Sequence, residues 1–597
     1  MANDFQRPGY PGYQLPTRID KMRGREVEGF LTPASDLLPQ VMSIPPRRVL
    51  PIIFLPGIMG TNLRLKTDST RQAELEKDNN IAWRPENKTE STKLMQGSTA
   101  LRQNQLDPLE TEVDVYDPVN NPTGNAKETS EQRHDNAKVN FRYRLDVGID
   151  TPLLMDDPVT SKSRKTKEQK ARERGWGEVY FGSYRKVLEM CELRLNTAFH
   201  RGQMDGWWKQ IVDVPPSRWQ AHPQLALPPL TEDALKQAVK ECWFPVHAIG
   251  YNWLESNRDS GVKVAKRISA LMARYREQGF LCEKVIVVTH SMGGLVARAL
   301  IHPDMGNLHD KVLGIVHGVM PAIGAGAAYK RMRCGFEDPG LNSLSPIESV
   351  TAKVLGNFGS DVTAVLANAQ GGLELLPSQA YGNDWLQVTH YGKTLKSLPQ
   401  NGDPYEEIYK LRGKWYGLLR EEWINPARQL NRGFKWTSQL LDKAKKFHNA
   451  IAATYHDQSY AHYGAGPQHA AWHRVVWNIA AHDARDVNSF ATVADIETLA
   501  IIGDNLQGKL AIQGPGAFTR SGAGTIPGVG VYLRPAADPG DQTVPLHSAE
   551  HQLRSGKFKG VFRQTGYEHQ NSYQDERALH STLYSLVRIA QTMTWST

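Results

Sequence analysis

The 597-residue chain has only four cysteines, Cys191, Cys242, Cys282 and Cys334. They are widely spaced and form no C-x-x-C pair, so neither a zinc site nor a disulfide framework is indicated. No apolar run approaches the roughly 18 residues that a membrane span needs, which argues against a pore former. The N-terminal stretch MANDFQRPGYPGYQLPTRIDKMRGR has no apolar h-region, so no secretory signal is expected and synthesis in the cytoplasm is. There are no internal repeats. The net charge of +8 gathers in SKSRKTKEQKARERGW (161–176) and LDKAKKFH (441–448). No nucleic-acid motif accompanies these stretches, which suit a solvated basic face or contact with an anionic lipid surface. ENKTES (86–91) and LDPLETEVDVYDP (106–118) have the carboxylates to hold calcium but lack EF-hand spacing. They read as solvated loops, and no metal or cofactor is expected.

Residues 1–48, rich in proline and polar residues, read as an extended arm. RVLPIIFLPGIMGTNLRL (48–65) follows, an apolar strand that stops at Pro56-Gly57. Further apolar strands occur in CWFPVHAIGYNW (242–253), KVIVV (284–288) and KVLGIVHGVMP (311–321), with a helical stretch at 260–279 whose Val262, Ala265, Ile268 and Leu271 repeat at helical spacing. Strands alternating with helices predict βαβ units and a parallel sheet. The chain closes with VGVYLRP (528–534), GVFRQT (560–565) and a helix at 574–592. The expected core is therefore 49–66, 176–330 and 497–597. Residues 67–175 and 331–496 are expected to be insertions that form a cap or lid, large and mainly helical. Within them, the amphipathic 434–456 either packs into a core or lies as a mobile cap over a site, together with the small-residue segment 361–377.

The third strand runs into THSMGG (289–294) and then the helix-like LVARALI. A serine between a strand and a helix is the arrangement of the nucleophile elbow, G-x-S-x-G, although here Thr289 replaces the first glycine. That position must be small because strand and helix nearly touch, so Thr289 needs extra room nearby. A serine nucleophile needs a base to accept its proton and an acid to orient the base. In α/β-hydrolases these follow in chain order Ser, Asp or Glu, His, each at the end of a strand. Asp541, in DPGDQTVP, lies just beyond VGVYLRP, with Asp538 as its nearest competitor. His569, in TGYEHQNS, lies directly after GVFRQT. Ser291, Asp541 and His569 are the candidate catalytic triad. The candidate oxyanion donors are the N–H groups of Met292, after the nucleophile, and Ile58, in the glycine turn LPGIMG (55–60).

With LPGIMG, THSMGG, GDQTVP and GYEH, the chain resembles the lipase branch of the α/β-hydrolases. It is similar there to the lecithin–cholesterol acyltransferase-like and GPI-inositol-deacylase-like families, and GYNWLESN (250–257) looks like their Y-x-W segment. HGVMPAIGAGAAYKRM and VTAVLANAQGGLELLPSQAYG (361–381) resemble the type VI secretion antibacterial lipase effectors. The resemblance implies a serine phospholipase of A1 or A2 type, secreted without a signal peptide on a spike component of the secretion machine. It further implies transient contact with membrane phospholipid in the periplasm of a target bacterium, and a cognate immunity protein in the producer. The alternative is an esterase or acyltransferase of the same fold acting on another acyl ester.

Overall fold

The computed structural model describes residues 46–116, 145–158, 164–200, 202–336, 355–480, 496–497, 499–513 and 529–596, with strand segments at 13–15, 17–19, 25–27 and 40–42. Most of the expected N-terminal arm, 1–48, lies outside the described residues. So does the middle of the expected insertion 67–175. Among the described residues, no helix is long and apolar enough to cross a membrane.

The central sheet is built from β1 (Ile52–Leu55), β2 (Val246–Ala248), β3 (Val285–His290), β4 (Val312–Gly318), β5 (Ser459–Gly464) and β6 (Phe558–Gln564). Its strand order is β2-β1-β3-β4-β5-β6, and every pairing is parallel. VIVVTH and VLGIVHG are buried along their whole length, as expected of parallel strands covered by helices on both faces. The helices that bear on the site are α1 (Phe181–Asn196), α2 (Asn257–Glu277), α3 (Gly293–Ile301), α4 (Gly326–Cys334), α5 (Gly359–Leu366), α6 (Phe434–Ile451) and α7 (Glu576–Ala590). Side chains alternate across the sheet with the two-residue period of a strand. Ile53, Leu55, Val285 and Val287 join the core cluster of α2 and α3. Ile52, Phe54, Ile286 and Val288 join that of α1 and α7.

Two expectations need correction. The region 331–496 is not wholly an insertion outside the core, and its described part mixes strands with helices. It supplies β5 to the central sheet, and its strands Leu386–His390, Lys393–Leu398 and Val475–Ile479 belong to a second six-stranded sheet. Segment 528–534 does not feed the acid loop from the core, because Val529–Leu533 lies in the second sheet beside Val475–Ile479 and Lys509–Gln513. The strand next to the acid loop is β5. After β5 the chain passes through Gly466–Ala471, makes its excursion into the second sheet, and returns at Asp538–Gly540, which pairs antiparallel with Gly466–Ala471. Period-two alternation marks a strand but does not say which sheet it joins.

The polar stretches are tied down by ion pairs. Asp107 meets Arg432, Glu112 meets Arg64, and Glu90 meets Lys77. In the basic stretch 161–176, Lys165 pairs with Glu173 at 2.7 Å and Lys170 with Asp157 at 2.6 Å. Much of that positive charge is therefore matched locally. The two insertions also meet, through Arg102 on one and Asp361 on α5 of the other, 3.1 Å apart.

Several histidines are buried in neutral form. Burial, the leading cause in each case, holds His290 and His317 at about 3 and His448, His456 and His462 at about 4. The unfolded chain binds a proton at each near 6.5, so below that pH it binds more protons than the native state and stability falls with pH. Glu374 and Glu86 act in the opposite sense, since burial raises the Glu374 carboxyl to about 7 and lifts that of Glu86. The lowered histidines, which also include His473 and His551 at about 4, outnumber them. The apparent Tm should therefore fall by on the order of 5 °C or more between pH 7 and pH 4.5. A Tm that stays flat across that window in a differential scanning experiment would refute the neutral-histidine account.

Candidate active site

The C-terminal ends of β1 and β3, the loop after β6 and the returning acid loop converge on one point. Ser291 sits between β3 and α3 with φ of 52°, in the left-handed region that a non-glycine residue occupies only where the surroundings enforce it. Its amide donates to the Gly318 carbonyl of β4 at 2.8 Å. Two glycines permit the close approach around it. A Cβ on Gly293 would lie 2.5 Å from both the Leu55 and Pro56 carbonyl oxygens, and one on Gly57 would lie 2.8 Å from His290 Nδ1. Thr289 is fully buried in this arrangement, its Oγ1 3.5 Å from His317 Nδ1. Its register partner on β4 is His317, and a Cβ on the next residue, Gly318, would lie 2.8 Å from the Thr289 backbone carbonyl.

The structure brings Ser291, His569 and Asp541 together. His569 Nε2 lies 2.8 Å from Ser291 Oγ, and Nδ1 lies 2.9 Å from Asp541 Oδ2. A carboxylate can only accept, so Nδ1 carries the proton and Nε2 is left free to accept from the serine hydroxyl. The other carboxylate oxygen of Asp541 accepts the Thr543 and Val544 amides at 3.1 and 2.7 Å. The His569 amide donates to the Asp541 carbonyl at 2.8 Å, which joins the acid and base loops directly. The competing candidate, Asp538, is bound instead to Arg474, with Nη2 to Oδ1 at 2.8 Å.

The two oxyanion candidates flank the elbow: Ile58 lines the cavity beside Ser291, and Met292 follows Ser291 in the chain. Met292 stands at the N-terminus of α3, where unpaired amides and the helix dipole favour negative charge. Ile58 occupies a turn closed by the Gly60 amide on the Gly57 carbonyl at 3.0 Å. That turn is held from outside by Tyr251, whose hydroxyl donates to Pro56 O at 2.7 Å, and by Trp83, whose indole donates to Met59 O at 2.8 Å. Tyr251 belongs to the GYNWLESN segment. Trp83 and the neighbouring Tyr184 were not among the sequence candidates, because they come from segments without motif character.

Above the serine opens a cavity of about 520 Å³. Ala325, Ala328, Leu366, Leu375 and Trp472 give it an apolar wall, and Ile58, Ser291 and His569 line it. The segment 361–377 thus contributes to the wall as Leu366 and Leu375. The α6 helix does not. Its stripe of Leu440, Leu441, Ala444, Phe447 and Ile451 is buried, and His448 donates to the Glu374 carbonyl at 2.7 Å. It supports the cavity-lining segment from behind. A buried serine hydroxyl with a histidine nitrogen in hydrogen-bond reach, beneath an apolar cavity and at the N-terminus of a helix, can attack an acyl carbonyl.

The profile of the PGAP1-like alpha/beta domain matches residues 258–332, from α2 through the elbow into α4. Among solved structures, the crystal structure of the Tle4–Tli4 complex holds a chain 30% identical to this one. The match covers 92% of this chain and 99% of that one, with a TM-score of 0.67. No curated protein sequence matches the chain.

Asp541→Asn would place an amide N–H against His569 Nδ1 and favour the wrong tautomer. Labelling of Ser291 by a fluorophosphonate probe should slow by on the order of a thousandfold to ten-thousandfold, with the Tm nearly unchanged. Labelling at the wild-type rate would remove Asp541 from the role.

Proposed function

Since the chain belongs to the family of Tle4, the type VI secretion lipase effectors, we propose that it hydrolyses carboxylic ester bonds of membrane phospholipids through a Ser291–His569–Asp541 triad and an acyl-enzyme. The observation that carries this reading is the 2.8 Å approach of His569 Nε2 to Ser291 Oγ at the foot of an apolar cavity large enough for acyl-chain carbons.

In the proposed mechanism, His569 Nε2 takes the Ser291 proton as Oγ attacks the ester carbonyl. Negative charge develops on the carbonyl oxygen and is met by the Ile58 and Met292 amides. Asp541 stays ionised and stabilises the imidazolium. Collapse of the tetrahedral intermediate expels the alcohol, a lysophospholipid, which leaves with the proton from His569. Water then enters, His569 removes its proton, and the fatty acid is released as Ser291 is restored. The apolar wall of the cavity favours the acyl chain, because burying each CH₂ contributes roughly 0.8 kcal/mol.

The reading extends to the setting of the reaction. Tle4 is seen bound to Tli4, and by that likeness a cognate immunity protein is proposed to block access to this cavity in the producing cell. Delivery on a spike component and action in the periplasm of a target bacterium belong to the same proposal.

The test is fatty-acid release from phospholipid vesicles by the wild type and by Ser291→Ala, both checked for folding. Release by the wild type alone supports the proposal, and positionally labelled lipid then assigns the bond. If vesicles yield no fatty acid while a soluble ester is cleaved, the esterase or acyltransferase reading replaces it. Product analysis with an added acceptor alcohol separates those two.

A further inference from the structure

A continuous hydrogen-bond chain runs beneath the nucleophile and uses two side chains that the mechanism above leaves idle. The Gly57 amide, in the turn that carries Ile58, donates to Tyr184 Oη at 3.1 Å. Tyr184 Oη lies 3.1 Å from His290 Nδ1, and His290 Nε2 lies 3.0 Å from the backbone carbonyl of His569. Every proton in the chain can be assigned. A carbonyl only accepts, so His290 Nε2 carries its proton. The ring is neutral, since burial holds it at about 3. Nδ1 is therefore bare, and Tyr184 donates to it while accepting from Gly57.

The surroundings show how firmly the chain is set. Tyr184 and His290 are almost fully buried, so each unmet polar atom would cost about 1–3 kcal/mol. The Tyr184 ring packs against Phe54 of β1, with centroids 4.9 Å apart, and edge-on against His290 at 5.4 Å. The same helix also grips the loop that follows His569. Gln570 Nε2 donates to Ser183 Oγ at 2.9 Å, and Lys186 Nζ donates to Gln574 O at 2.7 Å. Helix α1 thus touches both parts whose separation matters to the chemistry, the oxyanion turn on one side and the base loop on the other. The hydrogen bonds of the two side chains end on the Gly57 amide and the His569 backbone carbonyl and not on reacting atoms, so both act through others.

We propose that Tyr184 and His290 are positioning residues that hold the oxyanion turn and the base His569 at a fixed separation across Ser291. The proposal rests on the serine-hydrolase reading of the site. An error in this separation acts on the transition state, in which the oxyanion donors and the protonated base are engaged together, and much less on ground-state binding in the apolar cavity. Its signature is a loss in kcat with KM little changed.

The experiment uses the full-length protein with p-nitrophenyl butyrate for kcat and KM, and a fluorophosphonate probe for Ser291 labelling. Tyr184→Phe removes one oxygen and keeps the ring. It should lower kcat by about tenfold or more, with KM within about twofold. His290→Leu should do the same. The double variant should lose little more than the worse single variant, because both break one chain. His290→Gln, which keeps an acceptor and a donor, should recover part of the loss. Wild-type kcat in Tyr184→Phe, or losses that multiply in the double variant, would overturn the positioning role. Should His290→Leu fail to fold, the kcat against KM split of Tyr184→Phe decides alone. A wild-type protein with no turnover and no labelled serine would overturn the hydrolase reading, and the positioning role with it. Wild-type turnover beside an unaffected Tyr184→Phe overturns only the positioning role.

Discussion

Contact-distance packing between the end of β1, the elbow and the start of α3 is the constraint on which the rest of the site depends. Gly293 lies against the Leu55 and Pro56 carbonyls, and Gly57 lies against His290 and Ser291, with no space for a Cβ at either position. This contact keeps Ser291 in its left-handed conformation and presents its hydroxyl above the sheet. It also brings the turn that carries Ile58 against the elbow that carries Ser291 and Met292. A strained residue persists only where its surroundings over-determine it. Here the Gly318 carbonyl, the two glycines and the flanking strands β1 and β4 all hold the same few atoms.

The acid is placed by a different device. Asp541 stands beside the end of β5, where a Cβ on Gly464 would lie 2.6 Å from its own Cβ, yet four strands of the second sheet lie between the two along the chain. The antiparallel pairing of Gly466–Ala471 with Asp538–Gly540 closes that excursion and returns the carboxylate to the core. The large insertion therefore leaves the triad geometry intact. It also contributes Trp472 and Ala470 to the cavity wall, so the same excursion that carries Asp541 shapes the cavity.

What could be read from the chain alone depended on whether the physics was local. Uninterrupted apolar runs marked β3 and β4, because a strand buried on both faces has no polar side. The elbow was legible despite Thr289, because the serine, the following glycines and the strand–helix junction are contiguous. Asp541 and His569 were legible through their order and their turn residues. Tyr184 and Trp83 were not, because nothing in YRKVLEMCELRLN or IAWRPEN differs from an ordinary half-buried helix or strand. The assignment of 528–534 to the core failed for a related reason. Its alternation was real, but alternation carries no information about the partner strand.

The sequence by itself determined an α/β chain with parallel core strands, a serine on a tight turn, and the aspartate and histidine that the fold brings within hydrogen-bond reach of one another and of the serine, since each is specified by neighbours along the backbone. Only the tertiary structure decided that β5 belongs to the central sheet, that strands from 386–398, 475–479 and 500–533 gather in a second sheet, that α6 packs behind the cavity wall, and that Tyr184 reaches the Gly57 turn. Those features depend on contacts between segments well separated in the chain, such as Tyr184 with His290. Such a contact is selected by the shape and hydrogen-bonding needs of the folded interior, and no short window of sequence contains them.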